Sequence, residues 1–412
     1  MSRPLTLTEE DIRQMISSAL LAGMDYARQL DNTRNGILDD SFIPDGKIIP
    51  DCEAVLERIA VQFGFEPQTG LAGLSVGRMA EAVFSATEGS PDQLTFFTSG
   101  STGIPSPNAS PFADLNQEIR SQAEIYPGRK RIINMVPPHH IYGFLFSILL
   151  PKALDIPVTA KFSLPTSGLV ESLAPGDLVI AFPLLWNKLG QLPVSFPPDV
   201  YGVTSTGPCP ADVIKGLRAK GLDRMTEVYG SSETGGVGYR HDPDDCYRLL
   251  PHWQKTGQDT LARNHPENAG VTSFTLQDNL EWTGETEFRP IRRTDNAVQV
   301  GGINVYPSKV ENFFRSFEQV RDCSVRLMRQ DEGERLKIFI VPEKVIKAGD
   351  LTGGLADGLE ADLRRKAAAL PVAERPGSYS FGPSLPRSAM GKLADWNSSA
   401  KTAQKEDSGQ MK

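Results

Sequence analysis

The chain has 412 residues, of which 39% are hydrophobic and 23% charged; this balance excludes a disordered or fibrous polymer and leaves room for two or three domains with well-buried cores. Its net charge of -8 gives no general attraction to nucleic acid or to an anionic membrane surface, so neither is expected as a partner. Four scattered cysteines, Cys52, Cys209, Cys246 and Cys323, form no C-x-x-C pair and suggest neither a disulfide framework nor a zinc site.

In chain order, the first thirty residues read as an amphipathic helix and lack the basic start, apolar core and cleavage site of a secretory signal. The longest apolar stretch, Phe144 to Pro151, falls far short of the roughly 18 residues that cross a bilayer. A cytoplasmic protein is therefore expected. Residues 1 to about 90 carry no motif. From Asp92 to Val203, strand-like runs (LTFFT, RIINMVP, DLVIAFP) alternate with helical periodicity such as Phe112 to Tyr126, the pattern of an α/β fold. Near Asp295 the run IRRTDNAVQVGG interrupts this rhythm with charges and two glycines. Beyond it come a helix (Ser308 to Phe317), a strand pair (CSVRLMR, LKIFIVP), a second helix (Leu355 to Leu370) and a Pro-rich approach to LPRSAMGKLAD. The expected organisation is a large N-terminal α/β domain over 1–293 and a smaller, mobile α+β lid over 296–396, followed by a polar tail over 397–412 that reads as disordered. No internal repeat is found.

Six segments carry chemistry. Thr98-Ser99-Gly100-Ser101-Thr102-Gly103 follows a strand-like run, and a strand entering a Gly/Ser/Thr turn gathers backbone N–H groups and hydroxyls around one point, which suits a phosphate chain. Taken alone, it is as readily a flexible Ser/Gly loop, and no G-K-[ST] closes it into a Walker loop. Tyr229-Gly230-Ser231-Ser232-Glu233 is by itself a turn with a surface acid. The histidine pair in Val136-Pro137-Pro138-His139-His140-Ile141-Tyr142-Gly143-Phe144 reads alone as a satisfied turn feature, and Lys392 in Leu385-Pro386-Arg387-Ser388-Ala389-Met390-Gly391-Lys392 as one more exposed lysine. Thr204-Ser205-Thr206-Gly207-Pro208 and the charged stretch Arg293 to Pro307 complete the six.

In this combination they resemble the adenylate-forming family of acyl-CoA synthetases, aryl-CoA ligases and peptide-synthetase adenylation domains. The resemblance covers roughly residues 90 to 395. It implies that residues 98–103 hold the ATP phosphates, that Thr206 and Gly207 border the adenine pocket, and that Tyr229 stacks on adenine beside Gly230. It further implies that Ser232 touches phosphate and Glu233 holds magnesium, a hard cation that takes carboxylate oxygen. Arg293 would approach ribose or phosphate and Asp295 would be the hinge. Asp278, fifteen residues before Arg293, matches the family's ribose-binding aspartate, and a carboxylate accepting from two vicinal hydroxyls is a sound contact. Lys392 would enter the site for adenylation and offset charge shared by the carboxylate and α-phosphate. His140 would sit beside the substrate carboxylate, with His139, Tyr142 and Gly143 shaping the acyl pocket and Gly301 and Gly302 bordering the thiol channel.

Three departures stand out: Ser106 replaces the usual phosphate-loop lysine, Arg292 replaces the glycine before Arg293, and Asp278 lacks the glycine normally preceding it. Lys130 or Arg129 is a candidate substitute cation. The His-His-x-Tyr-Gly run is most similar to short bacterial ligases for aryl acids, so the expected substrate is a small aromatic carboxylic acid. The implied chemistry needs ATP and Mg2+, with CoA or the phosphopantetheine of a carrier protein as thiol acceptor. The competing reading is a degenerate family member that binds nucleotide or an acyl ligand as a sensor.

Overall fold

The computed structural model describes residues 5–24, 33–34, 37–49, 51–66, 70–99, 105–161, 165–265, 270–293, 297–301, 303–329, 332–333, 335–343, 354–387 and 393–396. Gly100, Ser101, Thr102, Gly103, Asp295, Gly302, Lys392 and residues 397–412 lie outside this set, and with them the expectations placed there. The chain divides into two compact units, the first holding Met1–Thr98 and Pro105–Thr294 and the second Ser99–Ile104 and Asp295–Lys412.

The first unit opens with α1 (Glu9–Ala22), which starts in a capping box: Asp11 N–H donates to the Thr8 hydroxyl, and Thr8 N–H donates to the Asp11 carboxylate. The helix buries Ile12, Met15, Ile16 and Leu20 at helical spacing. They share one core with residues of α2 (Cys52–Gln62) and α3 (Val76–Thr87), so the motif-free first ninety residues build part of the main body. Next come β1 (Gln93–Ser99) and β2 (Pro105–Pro111), a separate strand pair, and α4 (Phe112–Ala123), close to the helix read from the sequence.

Nine strands make the central sheet. Five are parallel, in spatial order β4 (Val158–Ala160), β3 (Arg131–Asn134), β5 (Asp177–Ile180), β6 (Tyr201–Thr204) and β7 (Arg224–Ser231). The sheet continues antiparallel through β8 (Gly235–Arg240), β9 (Tyr247–Leu249), β14 (Glu287–Arg293) and β13 (Asp278–Trp282). Alternation along the parallel strands serves two faces. Ile132, Leu178 and Ile180 join the core that contains α4, whereas Ile133 and Val179 join a second core under α5 (Pro183–Gln191) and α6 (Ala211–Ala219). A small antiparallel sheet of β10 (Trp253–Lys255), β11 (Thr260–Asn264) and β12 (Val271–Thr275) completes the unit.

The second unit has its own core. Hairpin β15 (Val298–Val300) and β16 (Ile303–Val305) leads into α7 (Pro307–Arg315), then the antiparallel pair β17 (Val320–Leu327) and β18 (Leu336–Pro342), α8 (Gly354–Ala367), and β19 (Ser378–Phe381), which pairs parallel to β18. Val310, Phe314, Ile338, Ile340 and Leu363 pack together here. Strand β19 was not apparent in the sequence pattern.

Candidate active site

The segments Val136–Tyr142 and Ser205–Gly207 follow the carboxyl ends of β3 and β6, and Tyr229–Glu233 spans the carboxyl end of β7, three strands of the parallel set. Open α/β sheets bind ligands at that edge. Thr206 bears a second mark of a site: its φ is 76°, a region β-branched residues avoid, and its buried hydroxyl has no hydrogen-bond partner among the described residues.

Two residues 49 positions apart meet here. The Tyr229 hydroxyl donates to Asp278 Oδ2 at 2.7 Å, and the Tyr229 ring lies 5.7 Å from that of Tyr247 and 5.3 Å from that of Phe288. Asp278 opens β13 and is paired across the ladder with Arg293 at the end of β14. The fifteen-residue interval is thus a hairpin whose two ends return to one place. Past Tyr229 the chain turns tightly, with Ser231 N–H donating to Thr234 Oγ1 (3.2 Å) and Thr234 N–H donating to Ser231 Oγ (3.3 Å). Ser232 and Glu233 form the tip between these bonds. Glu233 is exposed and makes no hydrogen bond or ion pair among the described residues.

The histidine pair is held from behind. Ser18 Oγ of α1 lies 2.7 Å from His139 Nδ1, and Gln62 Nε2 of α2 donates to the His139 carbonyl at 2.9 Å. The two imidazoles sit 4.1 Å apart, centroid to centroid. Burial holds the His139 pKa well below the ordinary range, with the His140 ring adding to the effect. Desolvation by the surrounding protein also lowers the His140 pKa, to about 4, although the residue as a whole is exposed. Both rings are therefore neutral at pH 7, able to donate or accept a hydrogen bond. The Tyr142 hydroxyl is committed to the carbonyls of Ala181 and Val203 at 3.1 and 3.0 Å. Gly143 leaves no space for a side chain: a Cβ there would stand 2.0 Å from the Pro137 carbonyl oxygen.

Sequence reading missed the layer beneath the Ser232-Glu233 tip. Asp114, Glu118 and Gln122 recur every four residues along α4 beside Leu115 and Ile119, and such a polar stripe ordinarily faces water. Here it is buried. Glu118 Oε1 accepts from Gly236 N–H at 2.8 Å, and Arg263 Nη1 stands 3.9 Å from Glu118 Oε2. Burial pushes the Glu118 pKa up to about 7, against the opposing pull of Arg263 and the Gly236 N–H.

On the second unit, Gly301 has φ 59° in the β15–β16 turn, a conformation that favours glycine in such a hairpin. Ala394 N–H donates to the Pro386 carbonyl at 2.9 Å, and Arg387 pairs with Leu393. Just past it, the fully buried Lys337 donates to the Trp396 carbonyl (2.6 Å) and pairs with Asp395 (3.0 Å) and Glu332 (2.7 Å).

No cluster of three or more His, Cys, Asp or Glu side chains able to cage a metal occurs among the described residues. A single exposed carboxylate such as Glu233 nevertheless suits magnesium, which keeps several waters and takes further oxygens from substrate phosphates. No helix among the described residues is long and apolar enough to cross a membrane.

No family model matches the chain. Among solved structures it is similar to the amide bond synthetase of Marinactinospora thermotolerans (TM-score 0.60, 16% identity, 93% of this chain and 92% of that one). It is also similar to the o-succinylbenzoate CoA synthetase of Bacillus subtilis (TM-score 0.55, 19% identity, 73% and 67%). These likenesses establish the class of fold, that of the adenylate-forming ligases. The chain is 39% identical over 323 residues to the 4-coumarate–CoA ligase of Halorhodospira halophila, covering 78% of this chain and 80% of the relative, and 38% identical over 311 residues to that of Rhodobacter capsulatus, covering 74% and 76%. It belongs to the adenylate-forming family, grouping there with the bacterial 4-coumarate–CoA ligases as an AMP-forming acid–thiol ligase. The matched relatives named here are enzymes, and none supports the reading as a degenerate sensor.

Proposed function

We propose that this protein activates a small aromatic carboxylic acid of the cinnamate or benzoate type as its acyl-adenylate and passes the acyl group to the phosphopantetheine thiol of CoA, working in the cytoplasm. The observation that carries this reading is the 2.7 Å hydrogen bond between Tyr229 and Asp278. It joins the residue that matches the family's adenine-stacking tyrosine to the one that matches its ribose carboxylate. The names of the relatives, 4-coumarate–CoA ligases, support the acid and the acceptor.

In the first step a carboxylate oxygen of the acid bonds to the α-phosphorus and pyrophosphate leaves; in the second a thiolate attacks the acyl carbon, AMP leaves, and the thiol proton passes to solvent. Tyr229 and Asp278 fix the adenosine, and their mutual hydrogen bond holds both in place before ATP arrives. Residues 98–103, Thr206 and Gly207 line the path of the phosphates and adenine, with Arg293 beside the ribose. Glu233 and Ser232 face the phosphates. Glu233 would hold magnesium, which would supply positive charge against the pyrophosphate. The neutral His140 offers a hydrogen bond to the substrate carboxylate without trapping it in an ion pair, and His139, Tyr142 and Gly143 shape the acyl pocket. Lys392 brings a cation to the carboxylate and α-phosphate during adenylation. The second unit then turns about Asp295, and Gly301 and Gly302 border the thiol's approach.

Pyrophosphate exchange into ATP, run with a panel of acids, tests the substrate class. Cinnamate- and benzoate-type acids are expected to be fastest. A clear preference for fatty acids of about ten carbons or more would overturn the aromatic assignment. Offering CoA or an acyl carrier protein to the adenylate then identifies the acceptor.

A further inference from the structure

The residues that follow Glu233 rest on a buried charge cluster to which neither the family motifs nor the reading above gives a role. Thr234, Gly235 and Gly236 are gripped from three elements. From α4, Glu118 Oε1 accepts from Gly236 N–H at 2.8 Å. From β11, Arg263 Nη1 donates to the Thr234 carbonyl (3.2 Å) while its Nη2 donates to the Asp114 carbonyl (2.6 Å). From β10, Trp253 Nε1 donates to the Gly236 carbonyl at 2.8 Å. Asp114 Oδ2 stands 3.5 Å from Arg263 Nε, and its Oδ1 stands 2.8 Å from His265 Nδ1.

The fit is close. A Cβ at Gly235, where φ is +70°, would fall 2.3 Å from Glu118 Oε2, and one at Gly236 would fall 2.6 Å from Oε1. Only glycine lets the chain lie on the carboxylate. Glu118 and Arg263 are 1% and 4% exposed. Burying such a pair is weak evidence for stability, since apolar side chains of similar size commonly serve as well. What a charged pair provides and an apolar one does not is directional hold on named backbone atoms, here one on each side of Gly235. Together with the Ser231–Thr234 bonds, this fixes both ends of the two-residue tip that carries Ser232 and Glu233.

We infer that Glu118 and Arg263 are positioning residues that set the Glu233 carboxylate where magnesium and the ATP phosphates meet it. The inference rests on the assignment of Glu233 made above. The test compares Glu118→Leu, which removes the acceptor from Gly236 N–H, with Glu118→Gln, which keeps it, and with Arg263→Lys, which cannot bridge Thr234 and Asp114 at once. Two quantities are read: the magnesium concentration that half-activates pyrophosphate release, and the factor by which magnesium tightens equilibrium binding of ATP. Glu118→Leu and Arg263→Lys are expected to raise the first by about tenfold or more and to shrink the second correspondingly, with KM for the acid changed by less than about twofold; Glu118→Gln should recover most of the loss. If Glu118→Leu does not fold, Arg263→Lys decides. Folded variants with unaltered magnesium dependence, or with every constant reduced in the same proportion, would overturn the inference. The binding measurement needs no turnover, so a wild-type protein that activates no acid would refute the proposed function and leave the positioning role still decided by ATP and magnesium.

Discussion

Replacing Glu118 with Gln should change how stability depends on pH, and by an amount the structure sets. The folded protein holds the Glu118 pKa at about 7 against an ordinary 4.5. Between these values the folded state keeps a proton that the unfolded state has released. The stability this proton confers is fully present below about pH 4.5 and is lost as pH rises through about 7. The gap corresponds to roughly 3 kcal/mol. Glutamine cannot ionise, so Glu118→Gln escapes this loss: relative to wild type it should gain roughly 3 kcal/mol between pH 4.5 and pH 8, whatever its offset at acid pH. Urea unfolding followed by tryptophan fluorescence suits the question, because Trp186, Trp253 and Trp282 share the unit that holds Glu118. A difference between variant and wild type that stays constant across this range would refute the reasoning, since it would mean the buried carboxyl titrates as it does in water.

Other substitutions address the nucleotide site. Asp278→Ala should weaken ATP binding about 10- to 100-fold, the ~1.5–3 kcal/mol of a lost charge-assisted hydrogen bond; Tyr229→Phe, which keeps the ring and removes only the bond to Asp278, should cost several-fold less, and calorimetric titration with ATP checks both. Lys392→Ala should slow adenylate formation by ~10²–10³ yet spare thioester formation from pre-made acyl-adenylate; equal loss in both steps, measured by stopped-time product analysis, would contradict its role. Gly235→Ala should destabilise the first unit by several kcal/mol, since the added Cβ meets Glu118 at 2.3 Å and φ is unfavourable, and a melting curve will show it.

What the sequence revealed was what local pattern controls. Alternation in RIINMVP and DLVIAFP marks strands that bury both faces, and the amphipathic character of the first helix is equally plain. Asp278 was reached only by its interval from Arg293, and the hairpin explains why an interval can carry that information. Glu118 and Arg263 gave no such signal. They lie 145 residues apart, and a Glu at helical spacing with Asp114 and Gln122 looks like a solvated face until β8 and β11 cover it. Ser18 and Gln62 were equally silent, because their partner His139 lies more than seventy residues on. Long-range polar contacts of this kind leave no periodicity to read.

The central claim is that this chain makes an acyl-adenylate from an aromatic acid, and mass spectrometry of the products tests it most directly. Incubated with ATP, magnesium and 4-coumarate, the protein should yield enzyme-bound coumaroyl-AMP and pyrophosphate, and adding CoA should convert the former to coumaroyl thioester with one AMP released for each. Formation of ADP and phosphate in place of AMP and pyrophosphate, or no acyl-AMP from any aromatic acid offered, would contradict it.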